Sequence, residues 1–174
     1  MRVFFASLLI ILMSACYSTR GFIDSKYKTI YVEPVKNKIK FTQETQEYSK
    51  YRSFPALFKN DFTTALIDRF NLDGALETDN RYFSQLRLET EINDFVRDVL
   101  RYTDSDSVEE YRLKLFFKYR LYDNKTNELI KENNLVADAN YSLSGSTATS
   151  EEGALKELFV DAARRLVEDV TEAW

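Results

Sequence analysis

Histidine is absent from the 174 residues and cysteine occurs once. Without an imidazole, histidine-based triads and His/Cys zinc sites fall away, and the commonest general base is missing. One thiol cannot close an internal disulfide. Nor is there a strong excess of charge of one sign. The 24 basic and 28 acidic residues leave a formal charge of -4, which argues against a nucleic-acid binder with its strongly basic surface. Long hydrophobic runs are missing too: the apolar run Val3 to Met13 is shorter than the about 20 residues that span a bilayer.

That run has a different meaning. Met1 to Cys16 reads MRVFFASLLIILMSAC, with Arg2 before the apolar stretch and the small residues Ser14 and Ala15 after it. This is the layout of a secretory signal over residues 1–15. Met13, Ser14, Ala15 and Cys16 together resemble the lipobox of bacterial lipoproteins, in which the cysteine is acylated and becomes the new N-terminus. The alternative is an ordinary signal peptide that leaves a free thiol. Two or three acyl chains on Cys16 would make membrane anchoring stable, where one chain alone is marginal. Tyr17 stands where an aspartate would favour retention in the inner membrane, and so by the same resemblance points to the outer membrane. Residues 16–26 read as a lipidated tether and 27–174 as one domain, since a chain 44% hydrophobic and of this length supports one core.

The organising stretch is Glu110 to Asp123, EYRLKLFFKYRLYD. Its odd positions are Tyr111, Leu113, Leu115, Phe117, Tyr119 and Leu121, and its even positions are Arg112, Lys114, Phe116, Lys118, Arg120 and Tyr122. Alternation with period two marks a strand with one buried face, about 40 Å long at roughly 3.3 Å per residue. The other face is a basic stripe interrupted by rings. Before it, Phe83 to Phe95 alternates Leu86, Leu88, Thr90 and Ile92 against Arg87, Glu89, Glu91 and Asn93, and continues loosely to Tyr102. The turn-rich Thr103 to Ser107 joins the two strands. Folding about the point between Ser105 and Asp106 pairs Ile92 with Tyr119, Thr90 with Leu121, Glu91 with Arg120 and Phe95 with Phe116. A one-residue slip would turn every side chain to the wrong face.

The remaining elements follow in order. Lys28 to Pro34 is a first strand with Ile30 and Val32 on one face, ended or held at an edge by Pro34. Val35 to Arg52 is polar without a period and reads as a long loop, either a contact region or simply solvated. Ser53 and Pro55 open a helix striped by Phe58, Phe62, Ala65, Leu66 and Phe70, which Gly74 ends. Asp123 to Asn127 is a turn. Glu128 to Leu143 is a fourth strand, in which Leu135, Ala137, Ala139, Tyr141 and Leu143 share a face. Ile130 has the opposite parity, so a bulge is expected near Asn133 and Asn134. After the small-residue loop Ser144 to Ser150, either Thr149 or Ser150 caps a helix. Leu155, Leu158, Phe159, Ala162, Leu166 and Val170 stripe it toward Trp174, which is expected to pack beneath the sheet. The predicted fold is α+β, a two-layer sandwich with two helices on one face of a four-stranded sheet, in the order β-α-β-β-β-α.

Several stretches in this order resemble the LPS-assembly lipoprotein family LptE: Cys16, IYVEPVKN, FTTALIDRF, LRLETEINDF, EYRLKLFF, VADANYSL and the closing SEEGALKELFVDAARRLVEDVTEAW. The resemblance implies a non-catalytic outer-membrane lipoprotein that needs no cofactor or metal. It plugs a β-barrel of the LptD type, helps that barrel assemble, and takes part in delivering lipopolysaccharide to the cell surface. Arg112, Lys114, Phe116, Lys118 and Arg120 are then the candidate barrel-contact face, a polar surface of the kind a barrel lumen accepts. Arg97 and Arg101 are candidate lipopolysaccharide contacts, since basic side chains make charge-assisted bonds to phosphates. The same sheet face also reads as ordinary solvated cross-strand pairs worth at most about 1 kcal/mol each. An enzyme would have to use the acidic cluster Asp104, Asp106, Glu109 and Glu110, which fits a hairpin turn better than a calcium loop. The other alternative is a different outer-membrane adaptor, such as a barrel-assembly accessory or a cell-wall-binding module.

Overall fold

The computed structural model describes residues 26–39, 55–145 and 148–172. The signal segment, Cys16, the stretch 40–52, the Ser53 cap and Trp174 lie outside the described residues. The elements are β1 (Thr29–Val32), β2 (Lys36–Asn37), α1 (Pro55–Asp73), β3 (Glu77–Thr78), β4 (Leu86–Tyr102), β5 (Val108–Asp123), β6 (Leu129–Ser142) and α2 (Glu151–Glu172).

The sheet runs β3-β1-β4-β5-β6, with β2 also paired to β4. It is mixed: β1 and β2 run parallel to β4, whereas β4, β5 and β6 are antiparallel neighbours. Six strands therefore replace the expected four, and the order gains β2 and β3. Both additions are two residues long, too short for alternation to register.

The first strand ends just before Pro34, as expected, but a second, short strand follows it. Glu33 N–H donates to Leu88 O at 2.9 Å, and proline has no N–H to continue the ladder. Val35 N–H turns instead to Thr63 Oγ1 of α1 at 3.0 Å, and pairing to β4 resumes at Lys36 opposite Glu91. The expected loop from Val35 is thus wrong at its start, where Val35 is fully buried.

Both helices cover the same face. Phe62 of α1 meets Phe117 of β5 edge-on, with ring centroids 5.3 Å apart, and stacks on Phe159 of α2 at 5.8 Å. Leu86, Leu88, Ile92, Leu113, Leu115 and Tyr119 fill the sheet side of this layer, and Leu66, Phe70, Leu158 and Leu166 fill the helix side, all of them fully buried. Gly74 ends α1 at φ +74°, its N–H donating to Phe70 O at 3.1 Å, the left-handed stop that glycine accepts at least cost. Ser150, rather than Thr149, caps α2, its Oγ accepting from Gly153 N–H at 3.1 Å. The outer edge of β6 is shielded near Asp138, whose N–H donates to Asp161 of α2 at 3.4 Å; covering an edge in this way limits pairing with other chains.

The β4–β5 register differs from the expected one by two residues along its first half: Thr90 faces Tyr119, Ile92 faces Phe117, and Glu89 faces Arg120. A shift between Ile92 and Asp94 then changes the parity. Phe95 pairs with Leu115 and packs against the core, instead of standing beside Phe116 on the outer face. In β6 the irregularity falls at Ile130, between the pairs Leu121–Lys131 and Tyr122–Leu129, not near Asn133. The bulge absorbs the misplaced residue itself, so the pattern from Lys131 onward stays intact.

Candidate functional site

The face of the sheet away from the helices carries the even residues of β5. Alternation along β4, β5 and β6 aims their polar side chains to this side, and β1–β2 adds Glu33, Lys36 and Lys38 at its edge. The sequence pattern shows a basic stripe; the tertiary structure fills it with carboxylates.

Arg120 lies within 3.4 Å of Glu91, 3.8 Å of Glu89 and 3.5 Å of Glu132. Lys118 pairs with Glu132 at 2.7 Å, Lys114 with Asp98 at 2.8 Å, and Lys38 with Glu91 at 3.1 Å. Arg87 contacts Glu89, reaches Glu33 at 3.3 Å, and lies 4.5 Å from the centroid of the Tyr122 ring. Arg112 donates to Asn140 at 3.2 Å and makes no ion pair among the described residues. The Glu91–Arg120 contact forms although these residues are not directly opposite; with the register moved by two, the guanidinium reaches it along the diagonal.

Electrostatics of this lattice favour the ionised forms. Partial burial pushes the Glu91 carboxyl up, but hydrogen bonding from Lys38 and the charge of Arg120 outweigh it and hold Glu91 below its usual range. The hydrogen bond from Lys118, with the charge of Arg120 behind it, likewise lowers Glu132. The result is a polar plate in which nearly every cation has a carboxylate neighbour. Between the pairs, Phe116 lies half-buried in the ladder opposite Val136, which is 43% exposed. Such a plate suits docking against a polar wall, because fixed cross-strand pairs present alternating charge with little side-chain freedom left to lose.

Arg97 and Arg101 are not brought together. The change of parity in β4 puts Arg97 on the helix side, opposite Leu113. There its guanidinium lies 4.6 Å from the Tyr111 ring centroid and 3.5 Å from Glu151 in the first turn of α2, while Tyr111 stacks on Tyr141 at 5.4 Å. A second shift after Val99 pairs Arg101 with Glu110 on the Arg112 side. Arg101 is exposed and lies 3.0 Å from Glu109 and 3.5 Å from Glu110. These two glutamates are thereby engaged, and Thr103 to Ser107 closes as a turn, with Thr103 N–H donating to Ser107 O at 2.8 Å and Asp106 at φ 59°. Among the described residues no group of three or more acidic or thiol side chains could hold a metal ion.

Sequence reasoning missed Glu33, Lys36 and Lys38 as members of the polar plate. A lone Val35 between Pro34 and the polar run from Lys36 was the available signal, too short to establish a period.

A model of the family LptE, described as lipopolysaccharide-assembly, matches residues 27–170. Among solved structures, the chain is similar to a hypothetical protein from Chlamydia trachomatis, with 16% identity, 83% of this chain and 98% of the other covered, and a TM-score of 0.51. It is similar to a protein from Xanthomonas campestris at 10% identity, with 86% and 90% covered and a TM-score of 0.52. The uncharacterized lipoprotein B from Nitrosomonas europaea shares 16% identity over 89% and 90% of the two chains, with a TM-score of 0.50. These likenesses concern the fold. No curated protein matches the chain.

Proposed function

The chain belongs to the LptE lipopolysaccharide-assembly family, and from that premise we propose that it is a non-catalytic outer-membrane lipoprotein, anchored through acylated Cys16, that plugs a β-barrel of the LptD type. In this role it assists assembly of the barrel and serves with it in bringing lipopolysaccharide to the cell surface. The observation that carries the reading, beside the family, is the polar plate on β4–β5–β6. Its ion pairs leave a polar surface that a polar barrel lumen can accommodate with most of its charges already paired, Arg112 being held by Asn140 instead. Arg112, Lys114, Phe116, Lys118 and Arg120 form its central row.

Of the two candidate contacts with lipopolysaccharide, exposure favours Arg101 over Arg97. Arg101 has 57% of its side chain exposed, against 22% for Arg97, and its glutamate partners can be exchanged for a phosphate near the surface.

The test is to isolate the full-length tagged chain from its own host in mild detergent and identify what co-purifies. A near-stoichiometric large β-barrel supports the plug reading; a different partner, or none, redirects it to another envelope adaptor. Lys114→Glu combined with Lys118→Glu is expected to weaken recovery of the barrel while the chain keeps its fold, as read by circular dichroism. Unchanged recovery from the folded double variant removes this face from the contact.

A further inference from the structure

At the end of the domain where the described chain begins, two large aromatic side chains stand in solvent. Tyr82 is 91% exposed and Phe83 76%. They do not sit on a loose loop. Asn80 Oδ1 accepts from Tyr82 N–H at 3.0 Å, Asn80 O accepts from Ser84 N–H at 3.1 Å, and the amide of Asn124 donates to Arg81 O at 2.8 Å and Ser84 O at 2.9 Å. A clamped turn therefore satisfies its own backbone and pushes both rings outward. Leu72, at the end of α1, and Leu129, at the start of β6, are 76% and 46% exposed.

The tether leaves from this same end. Tyr27 donates its hydroxyl to Asp123 Oδ2 at 2.9 Å, one residue from the Asn124 that clamps the aromatic turn. From Cys16 to Lys26 the chain spans at most about 35 Å fully extended. β4 carries the β4–β5 hairpin tip about 55 Å away from this end, at roughly 3.3 Å for each of its residues. An acyl anchor at Cys16 thus keeps the aromatic turn within tether reach of the bilayer in every orientation of the domain, whereas the hairpin tip reaches the bilayer only when the domain tips over.

We propose that Tyr82 and Phe83 are a membrane contact: their rings enter the headgroup region of the bilayer that holds the anchor and set the domain upright on it. The headgroup level is where amphipathic aromatic rings are favoured, and each ring removes about 150–250 Å² from water when buried. Charge does not drive this contact, because exposed Lys28, Arg81 and Lys125 are offset by exposed Glu77, Asp79 and Glu128. Attachment of the turn is accordingly expected to vary little with salt or with the fraction of anionic lipid. The inference rests on the Cys16 anchor in the proposed function, but not on the barrel partnership.

The test uses the full-length lipidated chain in vesicles of phosphatidylethanolamine and phosphatidylglycerol, with brominated acyl chains as quenchers. The single native tryptophan is removed by Trp174→Phe, and a reporter is introduced by Phe83→Trp or, at the far end of β4, by Tyr102→Trp. The Phe83→Trp emission is expected to be blue-shifted and quenched several-fold more strongly than that of Tyr102→Trp, with little change in high salt. Acylation is read separately by mass. An unacylated chain sinks the anchor reading and this inference with it. An acylated chain whose Phe83→Trp reporter is unquenched, or becomes shielded only when a β-barrel is added, overturns this inference alone.

Discussion

The hydroxyl of Tyr119, in the middle of β5, donates to Asp169 Oδ2 in α2 at 2.5 Å. Tyr119 is fully buried, and the carboxylate also receives Asn133 Nδ2 at 3.1 Å. Lys131 places its ammonium 2.6 Å from the Asp169 carbonyl and 3.4 Å from Oδ1. Two strands and the last helix are thus pinned at one polar cluster. Tyr119→Phe leaves the ring in place and removes one donor, so it is expected to cost about 1–3 kcal/mol. Urea unfolding at neutral pH measures it. An unchanged midpoint would mean that Asn133 and Lys131 suffice to hold Asp169.

This cluster also sets the pH dependence. Burial and the Asp169 carboxylate both oppose a Tyr119 phenolate, so its folded pKa is raised. Its contribution is complete below about pH 10, the ordinary tyrosine value, and is lost as pH climbs above it. Burial works against ionisation of Asp169, but hydrogen bonds from Tyr119 and Asn133 and the charge of Lys131 prevail and lower its pKa. That contribution is present above about pH 4 and is lost as pH falls through the lowered value. Stability is therefore expected to drop on both sides, and Tyr119→Phe is expected to make the alkaline limb shallower. Denaturant midpoints across pH check this.

Gly74→Ala has open space for its methyl group, with nothing within 4 Å, yet stands at φ +74°. The expected cost is conformational, about 1–2 kcal/mol. A fall in thermal midpoint with an unchanged circular-dichroism spectrum is the expected result.

Phe62→Ala removes the ring that joins α1 to both Phe117 and Phe159. The loss of buried surface and the cavity left behind are expected to cost about 3–5 kcal/mol. If the domain loses little stability, α1 is not a cooperative part of the core.

Much of the fold could be read from the sequence because the strands of the sheet core are long. Over Leu86 to Ile92 and Leu113 to Leu121, period two repeats often enough to assign every residue of the core face, although Arg87 and Glu91 on the opposite face are buried as well, and the helical stripes from Phe62 to Phe70 and Leu155 to Val170 are as clear. The candidate face was legible as a row, Arg112 to Arg120, but not as a surface. Its neutralisation depends on Glu89, Glu91 and Asp98 of β4 and Glu132 of β6, which come from the neighbouring strands. Arg97 and Arg101 illustrate the limit from the other side: four residues apart in sequence, they lie on opposite faces.

The sequence by itself determined which side chains face inward over Leu86 to Ile92, over Leu113 to Leu121 and along the two helical stripes, because helix and strand geometry convert local spacing directly into a buried face. It also determined the absence of imidazole chemistry and the presence of a lone thiol at Cys16. Only the tertiary structure decided the register of β4 on β5, the bulges at Asn93 and Ile130, the resumption of pairing after Pro34, and the turn that holds Tyr82 and Phe83 in solvent. Each depends on contacts between residues distant in the chain, and a shift of two residues leaves the inward and outward pattern unchanged, so local spacing cannot distinguish one register from the next.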